Sequence, residues 1–238
     1  MFLCFLLQSM AENQFSHLLF FWISFRGFWF LFSSLSLWFP SLFLSFFVLD
    51  LDTRLDLVFL LDSSLLVTQD NFTNFLYFVR GVSETLNVSR EETHVALVLF
   101  GDVAEIKINF NDNLNQSALE EALDHIPYKA YLQTNMGAGL SAVASVFSSN
   151  EARFNATRVL VILTATTAQD DTEVPSFNLL RNQNVNVFSI GVGVRVSLGQ
   201  LNEVASDPDS YHVLSLSSGN DLPFQFSTFK AMLGKCKT

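Results

Sequence analysis

The chain has 238 residues and a formal net charge of −10, with 13 Lys and Arg against 23 Asp and Glu. Phosphate recognition needs clustered Lys and Arg, and no basic run occurs, so nucleic acids and other polyanions are not expected partners. The two cysteines, Cys4 and Cys236, are too few for a disulfide framework or a cysteine-rich zinc site within the chain.

Composition changes abruptly near Asp50 and divides the chain into residues 1–50 and 51–238. All three Trp (Trp22, Trp29, Trp38) and 13 of the 26 Phe precede Asp50. The 23 residues 27–49 carry no charge, which is long enough to cross a bilayer as a helix at about 1.5 Å per residue, kinked at Pro40. Two readings of this hydrophobic Phe/Trp-rich segment stay open. One is an uncleaved signal anchor, since the apolar stretch exceeds a cleavable h-region and no small-x-small motif precedes Asp50. Arg26 before the stretch, with Asp50 and Asp52 after it, would then hold the amino terminus inside and the rest outside. The other is a mispredicted exon, because the Phe, Leu and Ser monotony resembles translated non-coding sequence. In either case the roughly 190 residues that follow suffice for one domain with a complete core.

Residues 55–61 form an apolar run expected as a buried parallel strand, and Asp62, Ser63 and Ser64 follow at its carboxyl end, where such sheets place their sites. Phe72, Phe75, Leu76, Val79, Val82 and Leu86 keep helical spacing. Residues 94–100 and 103–108 read as a hairpin joined at Gly101 and Asp102, which places an antiparallel strand at the sheet edge. Leu119 and Leu123 mark a short helix. Thr134 opens another, with Leu140, Val143, Ala144 and Phe147 inward and Gly137 and Gly139 allowing close approach. Strands are expected at 159–163, at 185–190, stopped by Gly191 and Gly193, and at 211–214. A closing helix over about 221–233 turns Phe226, Phe229 and Leu233 to the core. The alternation predicts an α/β fold: a doubly wound, mostly parallel sheet with one antiparallel edge strand and helices on both faces.

The segments LDLVFLLDSS, THVALVLFGDVAEIKINF, QTNMGAGL, RVLVILTATTAQDD, VNVFSIGVG and LNEVASDPDSYHVLSL follow one another in that order. Together they resemble a von Willebrand factor A domain over roughly residues 56–235, closest in wording to the A domains of collagen type VI chains and matrilin-like matrix proteins. The resemblance implies a Rossmann-like domain, secreted into the extracellular matrix or held at the membrane by residues 27–49. The partners it implies are matrix proteins such as collagens, or other A domains. In cation-binding members a D-x-S-x-S loop, a Thr before the third helix and an Asp ending the fourth strand hold the metal. Mg²⁺ wants six hard oxygens at about 2.0 to 2.1 Å. Asp62, Ser64 and Thr134 match three of those positions, whereas Leu66 replaces the second Ser and Ala165 replaces the Asp. The resemblance therefore implies a degenerate MIDAS, a remnant with no cofactor. Weak Mg²⁺ binding, helped by Ser63, Thr164, Thr166 or Asp170, is the rival. The three remnant residues also have purely structural readings: backbone N–H groups hold Asp62, Ser64 caps a turn and Thr134 caps a helix.

Other chemistries find no support in the residues. The GVGV at residues 191–194 lacks the third glycine of a dinucleotide fingerprint, and neither a P-loop nor a G-x-S-x-G elbow occurs. His17, His94, His125 and His212 form no metal-spaced pair, and no nucleophile, base and orienter can be assembled, so no enzyme is expected. The function expected is an extracellular protein-binding module for matrix or cell adhesion that recognises its partner without a bridging cation. The alternatives are a structural spacer in a multi-A-domain matrix protein, or a weakly metal-dependent adhesion domain. Sequons at Asn71, Asn87, Asn115 and Asn155 are glycosylation candidates, four against about three expected by chance. A-domain families often carry a cysteine just outside each end of the fold; Cys236 matches the trailing one, while Cys4 does not sit where its partner would.

Residues 1–49 contribute no periodic polar face that could lie on a finished domain. Deleting them is expected to leave the circular dichroism of the domain unchanged and to raise its solubility. Loss of the folded signal would instead place the segment in the core.

Overall fold

The computed structural model describes residues 54–170 and 173–236. The readings made above for residues 1–50, with the span 27–49 and Cys4, lie outside these residues. Among the described residues no helix is long and apolar enough to cross a membrane.

Six strands form one sheet in the order β3-β2-β1-β4-β5-β6. They are β1 (Leu55–Asp62), β2 (Thr93–Phe100), β3 (Ala104–Ile108), β4 (Thr157–Thr164), β5 (Val185–Val192) and β6 (Val213–Leu216). All neighbours run parallel except β2 and β3, whose antiparallel pairing makes β3 an edge and carries a register shift at Leu97/Val98. Every residue of β1 is buried, as a near-continuous apolar run between two helical layers requires. Its side chains alternate between the layers. Leu55, Leu57, Phe59 and Leu61 join one cluster, while Val58 and Leu60 join the other.

The first layer holds α1 (Gln69–Glu84), α2 (Gln116–Asp124) and α7 (Phe226–Cys236). Phe72, Phe75, Phe78, Val79 and Val82 of α1 pack there with Leu119, Leu123, Phe229 and Leu233. Gly81 lets the two helices meet, since a Cβ at that position would stand 2.3 Å from the Phe226 ring. On the other face lie α3 (Met136–Phe147) and α4 (Glu173–Asn182), with Met136, Leu140, Val143, Phe147, Phe177 and Leu180 inward. Gly139 brings α3 onto the sheet, where a Cβ would stand 2.9 Å from both Leu60 and Phe100. Two short helices, α5 (Leu198–Glu203) and α6 (Asp209–His212), link β5 to β6.

Several boundaries depart from the sequence expectation. Helix α1 ends at Glu84, so Leu86 packs on the core from the following loop. Strand β5 runs through Gly191 to Val192, and the turn comes at Gly193, whose φ of +86° favours glycine. Tyr211 and His212 belong to α6 rather than to the last strand. The closing helix is split: a 3-10 segment, Gly219–Gln225, holds Pro223 and precedes α7. Thr134 does not cap α3, which starts at Met136 after Asn135.

The amino edge of the sheet is fastened by a buried ion pair. Asp56 is 0% exposed and accepts from the Arg153 backbone N–H at 2.7 Å and from Arg153 Nε at 2.9 Å. The guanidinium also donates to the carbonyls of Leu55 at 3.0 Å and Glu92 at 2.8 Å, which ties β1 to the segment entering β2. Removing one partner of such a pair leaves the other charge buried and uncompensated. Arg153→Ala should therefore destabilise the domain by about 3 to 5 kcal/mol in urea titration, well beyond the loss expected from a surface ion pair.

Candidate functional site

The chain leaves β1 to form β2 and β3 on one side, then crosses to form β4 on the other side of β1. That reversal opens a crevice at the carboxyl ends of β1 and β4, the place where open α/β sheets bind ligands. Asp62 ends β1, and Thr164, Ala165 and Thr166 stand beside it at the end of β4. The sequence reading placed the site here.

Asp62 is completely buried, and each of its oxygens has a partner from the chain. Oδ1 accepts from the Ser64 backbone N–H at 2.9 Å, and Oδ2 lies 2.7 Å from Thr164 Oγ1. Backbone donors alone therefore do not hold the carboxylate; the Thr164 hydroxyl is the second support. Thr164 Oγ1 also lies 2.9 Å from the Thr166 carbonyl oxygen. A hydroxyl has one proton and cannot donate to both. A protonated Asp62 resolves the conflict by donating from Oδ2 to Thr164, which frees the threonine proton for Thr166. Burial, the largest influence, pushes the Asp62 carboxyl up from 3.8 to about 6, partly offset by the bonds from Ser64 and Thr164.

Ser64 and Thr134 are buried near the same edge, and their hydroxyl oxygens have no hydrogen-bond partner of normal geometry. Ser64 precedes the 3-10 turn Leu65–Val67 without capping it through its side chain. Thr134 is held by its main chain, with its carbonyl accepting from Gln169 N–H at 2.9 Å. Asp170 accepts from Gly137 N–H at 2.9 Å, at the start of α3. Ser63 Oγ accepts from Lys129 N–H at 2.9 Å, so this hydroxyl is committed to the neighbouring loop. Leu66 faces solvent and Ala165 is buried, and neither side chain supplies an oxygen. Among the described residues no group of three or more His, Cys, Asp and Glu is placed to hold a metal. His94 is buried in β2 with Nε2 2.9 Å from the Arg90 carbonyl, and His125 Nδ1 lies 2.7 Å from the Glu121 carbonyl, so each imidazole serves its own segment.

Three loops meet around the crevice. Tyr131 N–H donates to the Ser63 carbonyl at 3.1 Å, Leu65 N–H to the Tyr131 carbonyl at 2.6 Å, and Arg195 Nη1 to the Leu66 carbonyl at 3.4 Å. Tyr128 Oη lies 2.9 Å from the Ser64 carbonyl and 3.2 Å from the Leu65 carbonyl, and its single proton goes to one of them, the Ser64 carbonyl being the nearer. Burial pushes the Tyr128 hydroxyl up, which keeps it a donor. Asp102 holds the third loop by accepting from Gln133 N–H at 2.7 Å. Sequence reasoning named neither Tyr128 nor Asp102 as a support of this edge, because nothing in their local pattern points across the chain. The tips these bonds fix are apolar: Leu65, Leu66, Leu132 at 78% exposure and Val194 at 99%.

Residues 56–228 match the von Willebrand factor type A domain, and the chain belongs to that family. It is 29% identical over 157 residues to the human collagen alpha-5(VI) chain, an alignment covering 66% of this chain and 6% of that one. It is also 29% identical over 164 residues to matrilin-3 of Gallus gallus, covering 67% and 36% respectively. The chain thus spans a small part of these matrix proteins. The structure of proximal thread matrix protein 1 from the mussel byssus superposes with a TM-score of 0.68 at 23% identity, over 79% of this chain and 47% of that one. The same mussel protein has been solved with a zinc-occupied MIDAS motif.

The raised Asp62 value fixes the sign of a pH dependence. Between about pH 4 and 6 the folded state holds a proton that the unfolded state has released, so stability falls as pH rises through this window. Below it the stabilisation is complete. Asp62→Asn supplies an amide donor toward Thr164 at every pH, and should flatten this part of the profile and stabilise the domain at pH 7 by about 1 to 3 kcal/mol. Denaturant titrations of both proteins at pH 4 and 7 measure the difference.

Proposed function

We propose that this domain is an extracellular protein-binding module that recognises a matrix partner by surface complementarity, without a bridging cation. The observation that carries the reading is the internal satisfaction of Asp62. Ser64 N–H and Thr164 occupy its two oxygens, and burial raises the carboxyl to about 6, so below that pH it lacks the charge a metal ligand needs. Asp62, Ser64 and Thr134 offer one carboxylate and two hydroxyls, short of the six hard oxygens Mg²⁺ requires. Leu66 and Ala165 stand where further oxygens would be needed, so the residues do not fit the ion. The orphan hydroxyls of Ser64 and Thr134 then read as a remnant.

The setting is supported by the relatives, which are collagen type VI chains and matrilins. In that setting the apolar tips Leu65, Leu66, Leu132 and Val194 present a dry contact surface at the crevice rim, the kind of patch that marks protein interaction. A second reading is favoured by the small share of each relative that the chain covers, 6% for the collagen chain. In it the domain is one spacer among several and its crevice engages nothing. The zinc-bound MIDAS of the mussel protein frames the third, weakly metal-dependent reading. Neither binding reading calls on catalytic residues, and no enzymatic role is proposed.

The melting temperature should be the same in millimolar Mg²⁺, in Mn²⁺ and in chelator. An ion at a hundredfold excess over its Kd would add about 2.7 kcal/mol, a shift of several degrees for a domain of this size. The double change Leu66→Ser with Ala165→Asp should create a cation response. Capture of matrix proteins that persists in chelator supports the proposed module; capture lost in chelator supports metal dependence, and no capture supports the spacer.

A further inference from the structure

Phe154 is 93% exposed, at the opposite edge of the sheet from Asp62. It shares a turn with Asn155, the first residue of the sequon Asn155-Ala156-Thr157. Ala156 N–H closes this turn on the Arg153 carbonyl at 3.4 Å, so Phe154 and Asn155 are its two central residues. Both flanks are fastened. Arg153 N–H donates to buried Asp56 at 2.7 Å, and Thr157 N–H donates to the Arg54 carbonyl at 2.9 Å. A large apolar ring is thereby held by a fixed turn, 93% exposed among the described residues.

Beside the ring lies an open groove of about 210 Å³ lined by Phe154, Thr157, Arg158, Gln183, Asn184 and Asn186. Apart from Phe154 and Ala156, its walls are amide, hydroxyl and guanidinium groups. A ring face next to polar donors and acceptors suits a pyranose, whose axial C–H face stacks on an aromatic while its hydroxyls and N-acetyl group hydrogen-bond at the side. We propose that Asn155 carries an N-linked glycan, and that its first N-acetylglucosamine covers Phe154 and lies in this groove.

The other three sequons lack this arrangement. Asn71 sits in the first turns of α1, with its Oδ1 only 2.6 Å from where a Cβ on Gly219 would be. Asn115 uses its side chain to cap α2, accepting from Ala118 N–H at 2.9 Å. Asn87 is exposed, but its neighbours Leu86 and Val88 are turned toward the core. Only Asn155 pairs an exposed acceptor with an exposed ring and a polar groove.

The modification takes its sugar from a lipid-linked pyrophosphoryl oligosaccharide, the donor of the secretory pathway. The Asn155 amide nitrogen forms a bond to the anomeric carbon and gives up one proton to a base of the transferring enzyme. The bond from that carbon to the phosphate oxygen breaks, and the lipid pyrophosphate leaves with its electrons. The proposal rests on the extracellular reading, since the donor is met only by a chain entering that pathway.

The test expresses the full chain in mammalian cells, with and without an added cleavable secretory leader, and maps its glycopeptides. Asn155 should be occupied, and Asn155→Gln should remove that glycan. After trimming to one N-acetylglucosamine, the modified protein should melt about 2 to 4 °C above Asn155→Gln, the shift that one good stacking contact gives a domain of this size. In a Phe154→Ala background the glycan should remain but this increment should vanish. Since Phe154 is almost fully exposed, its replacement leaves the core intact. An unoccupied Asn155 in the leader-bearing chain, or an equal increment with Ala at 154, overturns the proposal. Occupancy only with the added leader supports the site and counts against the extracellular reading.

Discussion

The burial of β1 on both faces is the constraint on which the domain is built. This strand pairs with β2 on one side and β4 on the other, and it sends alternate side chains into two separate clusters. A strand so placed has no solvent-facing register to slip into, because any shift by one residue exchanges the two helical layers. Its position also decides where the chain must reverse direction across the sheet. The crevice beside Asp62 follows from that reversal, and the loops carrying Ser64, Thr134 and Thr164 converge there whether or not they hold a ligand.

Within the crevice, the proton count of one hydroxyl shapes the chemistry. Thr164 stands within hydrogen-bond reach of both Asp62 and the Thr166 carbonyl. A neutral carboxyl satisfies this triad, and an ionised one leaves an acceptor short. In a low-dielectric site an unmatched polar group is expensive, so the environment and the hydrogen-bond pattern favour the same protonation state. Above about pH 6 that proton is released, and the Thr164 hydroxyl then serves the carboxylate at the expense of the Thr166 carbonyl.

Much of this was legible in the sequence, for identifiable reasons. The runs that became β1, β2, β4 and β5 are continuous and β-branched or Leu-rich, which parallel strands between helices require. The hairpin showed itself through Gly101 and Asp102. Helix α4 was missed because, among its described side chains, Phe177 and Leu180 alone face its cluster, amid polar residues and beside Pro175, a pattern too thin to stand out from a loop. That Leu66 and Ala165 carry no side-chain oxygen is plain from the sequence. The support of Asp62 by Thr164, and of the Ser64 loop by Tyr128, could not be paired from the chain alone, because each joins residues distant in sequence. The exposure of Phe154 was equally hidden, since an isolated Phe between polar residues ordinarily turns inward.

The two edges of the sheet bear on how such a module behaves when crowded. Strand β3 is five residues long, carries Glu105 and Lys107 paired to each other, and follows the irregular register at Leu97/Val98. Strand β6 has only four residues. Short, charged or distorted borders make poor templates for a further strand from another molecule. Copies held close together would therefore remain discrete folded units instead of fusing through the main chains of these two edges, and association between the described surfaces would have to be made by side chains.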